Sequence, residues 1–164
     1  MATFPGMVDA ERLEAIVDEL AERLTQLPEA AFTRRPAPEE WSAAEIVAHM
    51  AEMMPYWARA AAAVAAEPGR AIGRELDDPD RVGALAGAND VPRAEALARL
   101  RHAAHEAAST LGGLDEAAWR ATGRHHARGE MSIAEGVQSL IVEHAEAHVQ
   151  QALAAAGATT APGD

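Results

Sequence analysis

The stretch SIAEGVQSLIVEHAEAHVQQALAAA, residues 132–156, has the pattern of a long amphipathic helix. It opens with a capping box, in which the Ser132 hydroxyl accepts from the amide three residues later and the Glu135 side chain reaches back. Its apolar residues recur at helical spacing and form one stripe: Ile133, Val137, Leu140 and Ile141. His144 and His148 continue that stripe, so the pattern predicts that both point into the protein.

Three further segments have helical periodicity. Together with residues 132–156 they predict an all-α four-helix bundle. One spans about residues 9–27, where Pro28 ends it. The next begins with a second capping box, runs over about residues 42–66 and contains Pro55, which should kink it. The third spans about residues 92–111, with a proline in its first turn.

Two connections stand out because bundle helices are usually joined by short links. Residues 68–91 are rich in Gly, Asp and Pro, and either cross the end of the bundle or form a lid, with a short helical piece possible near residues 74–76. Residues 121–130 read as a polar loop before the last helix. That loop holds His125 and His126, which either line the site entrance, shuttle protons or are simply exposed.

Composition limits the class of protein. The length of 164 residues predicts one domain, residues 1–164, with a core of about residues 8–156. The net charge of −12 makes nucleic acid or an anionic membrane an unfavourable partner. No segment reads as a signal peptide or membrane span, so we expect a cytoplasmic protein. With no cysteine, any metal must be bound by His, Asp or Glu.

Histidines four residues apart on a helix lie on one face, so His144 and His148 can both donate a nitrogen to one metal ion. His49 lies at the edge of the inward stripe of the second predicted helix and can face inward too. Plain core histidines remain the alternative, and helical spacing does not show that His49 lies opposite His144. Burying three unpartnered imidazoles would be costly, which favours a shared ion with coordination positions left open for water or substrate.

Two motifs extend this interpretation. The segment WSAAEIVAHM, residues 41–50, resembles the opening of the second helix in the DinB-like superfamily. The segment IVEHAEAHVQQ, residues 141–151, resembles the HxxxHxxQ signature of the same superfamily. The order of the motifs, their separation and the chain length also match, and the resemblance covers nearly the whole chain.

The resemblance implies a four-helix bundle of up-down-down-up topology that holds a divalent metal ion, often nickel or zinc. By position its ligands are His49, His144 and His148, and many members of the superfamily form homodimers. The superfamily includes metal-dependent transferases that use low-molecular-weight thiols, among them mycothiol-dependent maleylpyruvate isomerase and bacillithiol transferases. In the isomerase branch one ligand position resembles a glutamate, whereas His144 stands here, so isomerase activity is not specifically supported.

Three functions therefore stay open: a metal-dependent thiol S-transferase acting on a small molecule, a non-catalytic metal- or small-ligand-binding stress-response bundle, and a purely structural interaction bundle. Gln151 follows His148 by three residues and either binds substrate, supports a ligand or is a polar residue at the bundle end. Three arginines flank the long connection and either bind an anionic substrate or are surface charges: Arg74, Arg81 and Arg93. His102 and His105 lie off the apolar stripe and are expected not to be ligands.

Overall fold

Helices make up most of the computed structural model, which describes residues 5–158, with side chains from Ala10 onward. The expected domain of residues 1–164 extends beyond this range at both ends. The α-helices are α1 (Pro5–Thr25), α2 (Glu29–Thr33), α3 (Ala43–Ala66), α4 (Pro79–Leu85), α5 (Arg93–Gly112), α6 (Glu116–Arg120), α7 (Ile133–Val137) and α8 (Glu143–Ala155). A 3-10 turn spans Ala88–Asp90, and a π-helical segment spans Gln138–Val142. The strands are β1 (Ala71–Ile72), β2 (Thr122–His125) and β3 (Gly129–Ser132).

The four long helical regions that the sequence predicts are all present, and the fold is predominantly α-helical. Helix α1 packs against α5 and α8, and α3 packs against the same two helices from the other side. Their apolar stripes meet in one core, whose fully buried side chains include Leu13, Leu20, Ile46, Met50, Met53, Leu100, Leu111 and Leu153. No helix in residues 5–158 is both long and apolar enough to cross a lipid bilayer.

The capping box predicted at the start of α3 is confirmed. The Ser42 hydroxyl accepts a hydrogen bond from the Glu45 backbone N–H at 3.2 Å, and the Glu45 carboxylate accepts from the Ser42 backbone N–H at 2.8 Å. Arg35 also pairs with this carboxylate, which is almost completely buried. These bonds fix the first turn of α3, and that turn sets the direction in which His49 projects one turn later.

The last predicted helix is continuous but not uniform, which the periodicity did not predict. Between α7 and α8 the residues Gln138–Val142 form a π-helical segment, in which each turn contains more than 3.6 residues. Downstream of it the buried stripe passes through Ala145, Ala152 and Leu153. His144 and His148 consequently lie at the flank of that stripe and are half-buried, whereas the α-helical pattern predicted them within it.

The prediction of a polar loop at residues 121–130 is wrong, because this region forms a β-hairpin. Strand β2 pairs antiparallel with β3 and parallel with β1, so β2 is the middle strand of a three-stranded sheet. The sheet packs closely on α3, since a Cβ atom at Gly123 would lie only 2.7 Å from a methyl carbon of Val64. A larger residue than glycine would push the hairpin away from the helix.

The long connection at residues 68–91 is ordered into β1, α4 and the 3-10 turn. Its helix lies at Pro79–Leu85, where Asp78 caps the N-terminus, and not near residues 74–76 as predicted. Arg74 ties the connection to α3: its guanidinium pairs with the Glu52 carboxylate, with one N···O distance of 2.7 Å, and lies 4.0 Å above the Tyr56 ring. Helix α4 therefore lies against α3, next to the turn that carries His49.

Candidate metal centre

Three histidines from two helices meet at one point. His49 projects from α3, and His144 and His148 project from successive turns of α8. One ring nitrogen from each lies within 4.8 Å of the other two, which is an arrangement that could hold a metal ion. The ring centroids are 4.8 Å apart for His49 and His148, and 4.6 Å apart for His144 and His148. The structure thus brings together the residues that the sequence singled out, and their metal binding stays a prediction.

His49 is the deepest of the three, with 4% of its surface exposed. Its Nδ1 atom is buried without a hydrogen-bond partner. An unpaired buried polar atom costs free energy, so burial of this nitrogen destabilises the fold. A metal ion bound to this ring would offset part of that cost.

His148 is oriented by a side chain three residues further along α8. Its Nδ1–H donates a hydrogen bond to the Oε1 atom of Gln151 at 2.8 Å. A neutral imidazole carries one proton, so this bond leaves the lone pair on Nε2, which faces the cluster. The Nε2 atom of His148 lies 2.8 Å from that of His144. Gln151 therefore contacts a predicted ligand.

The environment keeps all three imidazoles neutral. Burial lowers the pKa of His49 to about 3, and the charges that protonated His148 and His144 would carry lower it further. Burial also lowers the pKa of His144 to about 4, with the charge on His148 as the next cause. The pKa of His148 is lowered as well, again mainly by burial. Neutral imidazoles are the form that binds a metal, so the donor set fits a divalent ion.

One wall of the cluster is aromatic and cationic. The Trp41 ring lies 5.4 Å from the His49 ring and 6.4 Å from the His148 ring, measured between centroids. The Arg81 guanidinium lies 5.7 Å from the centroid of the Trp41 ring, and its Nη1 donates to the carbonyl oxygen of Leu76 at 2.6 Å. Arg81 comes from α4, so the long connection contributes directly to the edge of the site.

The sequence matches the DinB superfamily over residues 12–152, a range that contains α3, most of α8 and all three histidines. The chain belongs to the DinB superfamily. No curated protein matches it closely enough to add a named relative. The resemblance inferred from the two motifs is confirmed, and in this DinB protein the two motifs lie side by side at the three-histidine cluster. Membership establishes the family and leaves the reaction open.

The other histidines lie elsewhere in this DinB protein. His125 is buried in β2 and stacks on the Trp57 ring, with centroids 5.7 Å apart. The prediction that it is simply exposed in a loop is therefore wrong for His125. His126 is exposed beside it. His105 is exposed and pairs with a carboxylate of α1, and His102 is exposed on α5. None of these four shares the three-histidine cluster.

The three arginines flanking the long connection separate into different roles. Arg74 is buried and already paired with Glu52. Arg93 donates to the carbonyl oxygen of Leu27 at 2.7 Å and so ends the first helical region. Among the three, Arg81 alone borders the histidine cluster and has no ion pair within the described side chains.

Sequence reasoning missed the place of Trp41 in the site and left the role of Arg81 undecided. Trp41 was not singled out as a site residue, although it opens the same motif that contains His49, and that position was a usable signal. The role of Arg81 had no such signal, because nothing in the local pattern shows where a loop-borne side chain will lie.

Proposed function

We propose that this DinB-superfamily protein binds one divalent metal ion, nickel or zinc, through His49, His144 and His148, and that it is a metal-dependent S-transferase for a low-molecular-weight thiol. The observation that carries the proposal is the convergence of three neutral, mutually close ring nitrogens from two helices. The DinB membership supports it, because the superfamily motifs coincide with that cluster.

Three protein ligands are the number found in catalytic sites, where at least one coordination position stays open for water or substrate. A bound divalent ion would supply Lewis acidity, which favours the thiolate form of a thiol at neutral pH. His144 and His148 are half-buried, so the open side of the cluster faces solvent at the flank of α8. Trp41 covers another side and limits the access of water there.

The proposed reaction is a substitution. The thiol proton passes to solvent, the sulfur forms a bond to an electrophilic carbon of the acceptor, and the leaving group departs with the electron pair of the broken bond. His49, His144 and His148 hold the reacting centre, while Gln151 keeps the His148 ring in the orientation that points Nε2 toward it.

The test is thiol consumption by the nickel- or zinc-loaded protein in the presence of alkyl-halide or epoxide acceptors. His148→Ala is expected to abolish turnover, whereas His105→Ala, which removes an exposed histidine, is expected to retain it. Equal turnover by metal-free His148→Ala and wild type would contradict the proposal. Stoichiometric metal without turnover across thiols and acceptors would favour the alternative, a non-catalytic metal-binding bundle.

We also propose the up-down-down-up topology. Contacts between α1 and α5 run in reversed order along the two helices: Glu14 with His105, and Asp18 with Arg101. Contacts of α3 with the α5 region run in the same order: Ser42 with Asn89, and Arg59 with Glu106. His49, in the first third of α3, meets His148 in α8, whereas Val64, near the end of α3, lines a cavity with Ile133 at the start of α7. These orders support an antiparallel pairing of α1 with α5, a parallel pairing of α3 with α5 and an antiparallel pairing of α3 with the last helical region.

A homodimer remains part of the proposal, on the basis of the family resemblance. Sedimentation at micromolar concentration is expected to give twice the chain mass of 17.3 kDa. A single species of one chain mass would contradict it and would leave the metal site unaffected.

A further inference from the structure

Arg81, an arginine without an acidic partner, lies near the histidine cluster although the protein as a whole is acidic. The chain carries 26 acidic and 14 basic residues. Glu39 and Glu40 line the pocket beside His148, whereas the Arg81 guanidinium lies over the Trp41 ring that borders His49 and His148. An arginine that keeps no acidic partner is not what the net charge predicts.

Arg81 has no carboxylate partner. Arg74 is neutralised by Glu52, but Arg81 forms no ion pair among residues 10–158. Most of the other arginines in that range are paired, as expected where acids outnumber bases. Arg81 therefore keeps an unneutralised charge beside the cluster.

Arg81 is held in place and is not a freely moving surface chain. Its backbone N–H donates to the Asp78 carboxylate that caps α4, at 3.2 Å, and its Nη1 donates to the Leu76 carbonyl. The guanidinium lies over the Trp41 ring, and this ring in turn borders His49 and His148. One hydrogen bond to Leu76 leaves the other N–H groups of the planar guanidinium available.

We propose that the ligand of this site carries a carboxylate in addition to its thiol, and that Arg81 is the specificity-determining residue that pairs with that carboxylate. This inference rests on the proposed function, because the thiol end is assigned to the metal. The planar guanidinium matches a carboxylate, and its single charge matches a single negative charge.

The test uses the protein loaded with cobalt(II), whose visible and near-ultraviolet absorption reports sulfur binding. Mercaptopropionate and mercaptopropanol have the same chain length and differ in the carboxylate, so their dissociation constants isolate its effect. We expect wild type to bind mercaptopropionate about tenfold more tightly, the size of one partly solvated charge-assisted pair. The preference should narrow at high ionic strength.

Variants assign the preference to a residue. Arg81→Gln is expected to bind both thiols equally, and Arg81→Lys to retain part of the preference. Arg124→Gln is the matched control, because it removes an exposed, unpaired arginine of β2 that does not act on the histidines, and it should keep the full preference. Circular dichroism checks that each variant is folded.

The two levels of the proposal fail differently. If the protein binds no cobalt, the proposed metal site is wrong and this inference falls with it. If cobalt binds and wild type does not distinguish the two thiols, or if Arg81→Gln keeps the preference, only the inference about Arg81 is overturned.

Discussion

At the scale of single residues, the site depends on how each imidazole places its one proton. Gln151 accepts from His148 Nδ1, which leaves Nε2 free to bind an ion. Such a bond to a ligand histidine fixes both its tautomer and its ring orientation. The sequence offered substrate binding or support as roles for Gln151, and the observed contact favours support, while substrate binding stays untested.

Replacing Gln151 is therefore predicted to weaken metal binding without unfolding the protein. Gln151→Ala should lower zinc affinity by about 10- to 100-fold, the usual effect of removing such a partner. Gln151→Glu retains an acceptor and should bind zinc at least as well as wild type. Gln150→Ala, at the exposed neighbouring position, is the control for isothermal titration calorimetry. Unchanged affinity in Gln151→Ala would contradict this role.

The pKa values predict an unusual pH profile for metal binding. Ligand protonation competes with the metal, and an exposed set of three histidines would lose up to about 1000-fold in affinity per pH unit well below pH 6.5. Burial lowers the pKa of His49 to about 3 and that of His144 to about 4, so at these two ligands protons compete with the metal only in stronger acid. The pKa of His148 is lowered as well, which acts in the same direction.

Zinc affinity measured by competition with a chelator of known pH dependence should consequently change little between pH 7.5 and 5.5. The same pKa shifts predict that the free energy of unfolding of the metal-free protein falls in acid. The unfolded histidines take up protons from about pH 6.5 downward, whereas the folded ones resist protonation. A three-decade loss of affinity over this range would show that the histidines titrate normally.

At the scale of elements, the start of α3 controls where His49 projects. Burial alone would raise the pKa of Glu45, but hydrogen bonds from Arg35 and Ser42 outweigh it, so the pKa lies below its ordinary value of 4.5. A carboxylate with a lowered pKa stabilises the fold above that value, and the contribution is lost as the pH falls through the lowered pKa.

Glu45→Gln is predicted to lower the free energy of unfolding by about 1–2 kcal/mol at pH 7, as expected for losing a buried charge-assisted hydrogen bond. The difference from wild type should shrink below pH 4.5. Glu135→Gln makes the same change in the exposed capping box of α7 and should cost less. Urea unfolding at both pH values measures this, and equal stability of Glu45→Gln and wild type at pH 7 would contradict it.

The elements also show what local pattern can and cannot predict. Helix α3 was predicted because Ser42, Glu45 and a continuous apolar stripe all act within a few residues of one another. Strand β2 was missed because it buries Gly123 and His125, and neither gives an alternating apolar signal. Its pairing with β1 joins residues some fifty positions apart, and only the packed structure brings these together.

The π-helical segment explains the main error about the site. Periodicity averages over a whole helix, so it cannot detect one wide turn at Gln138–Val142. That turn shifts His144 and His148 to the flank of the buried stripe, and the same shift exposes their open side to solvent. His144 and His148 were identified from spacing, whereas the proximity of His49 to them required the tertiary structure.

At the scale of the whole molecule, the histidines join helices from the two ends of the sequence. His49 lies on α3 and His148 on α8, so an ion held by both would link two helices that are distant in the chain. A ligand that binds only the folded state stabilises it by mass action, by about 2.7 kcal/mol at a free concentration one hundred times its dissociation constant.

Zinc or nickel in that excess is therefore predicted to raise the melting temperature by about 5–11 °C in a protein of this length. Calorimetric scans with and without metal measure the shift. His105→Ala should show the same shift as wild type, and His49→Ala should show little. A shift that is equal in wild type and His49→Ala would place the stabilising ion elsewhere.

The most direct test of the central claim is the metal content of untagged protein after equilibration with zinc or nickel and gel filtration, measured by elemental analysis. The account predicts one ion per chain in wild type and in His105→Ala. It predicts well below one ion per chain in His49→Ala, His144→Ala and His148→Ala. No bound metal in wild type, or one ion per chain in all three variants, would contradict the three-histidine centre.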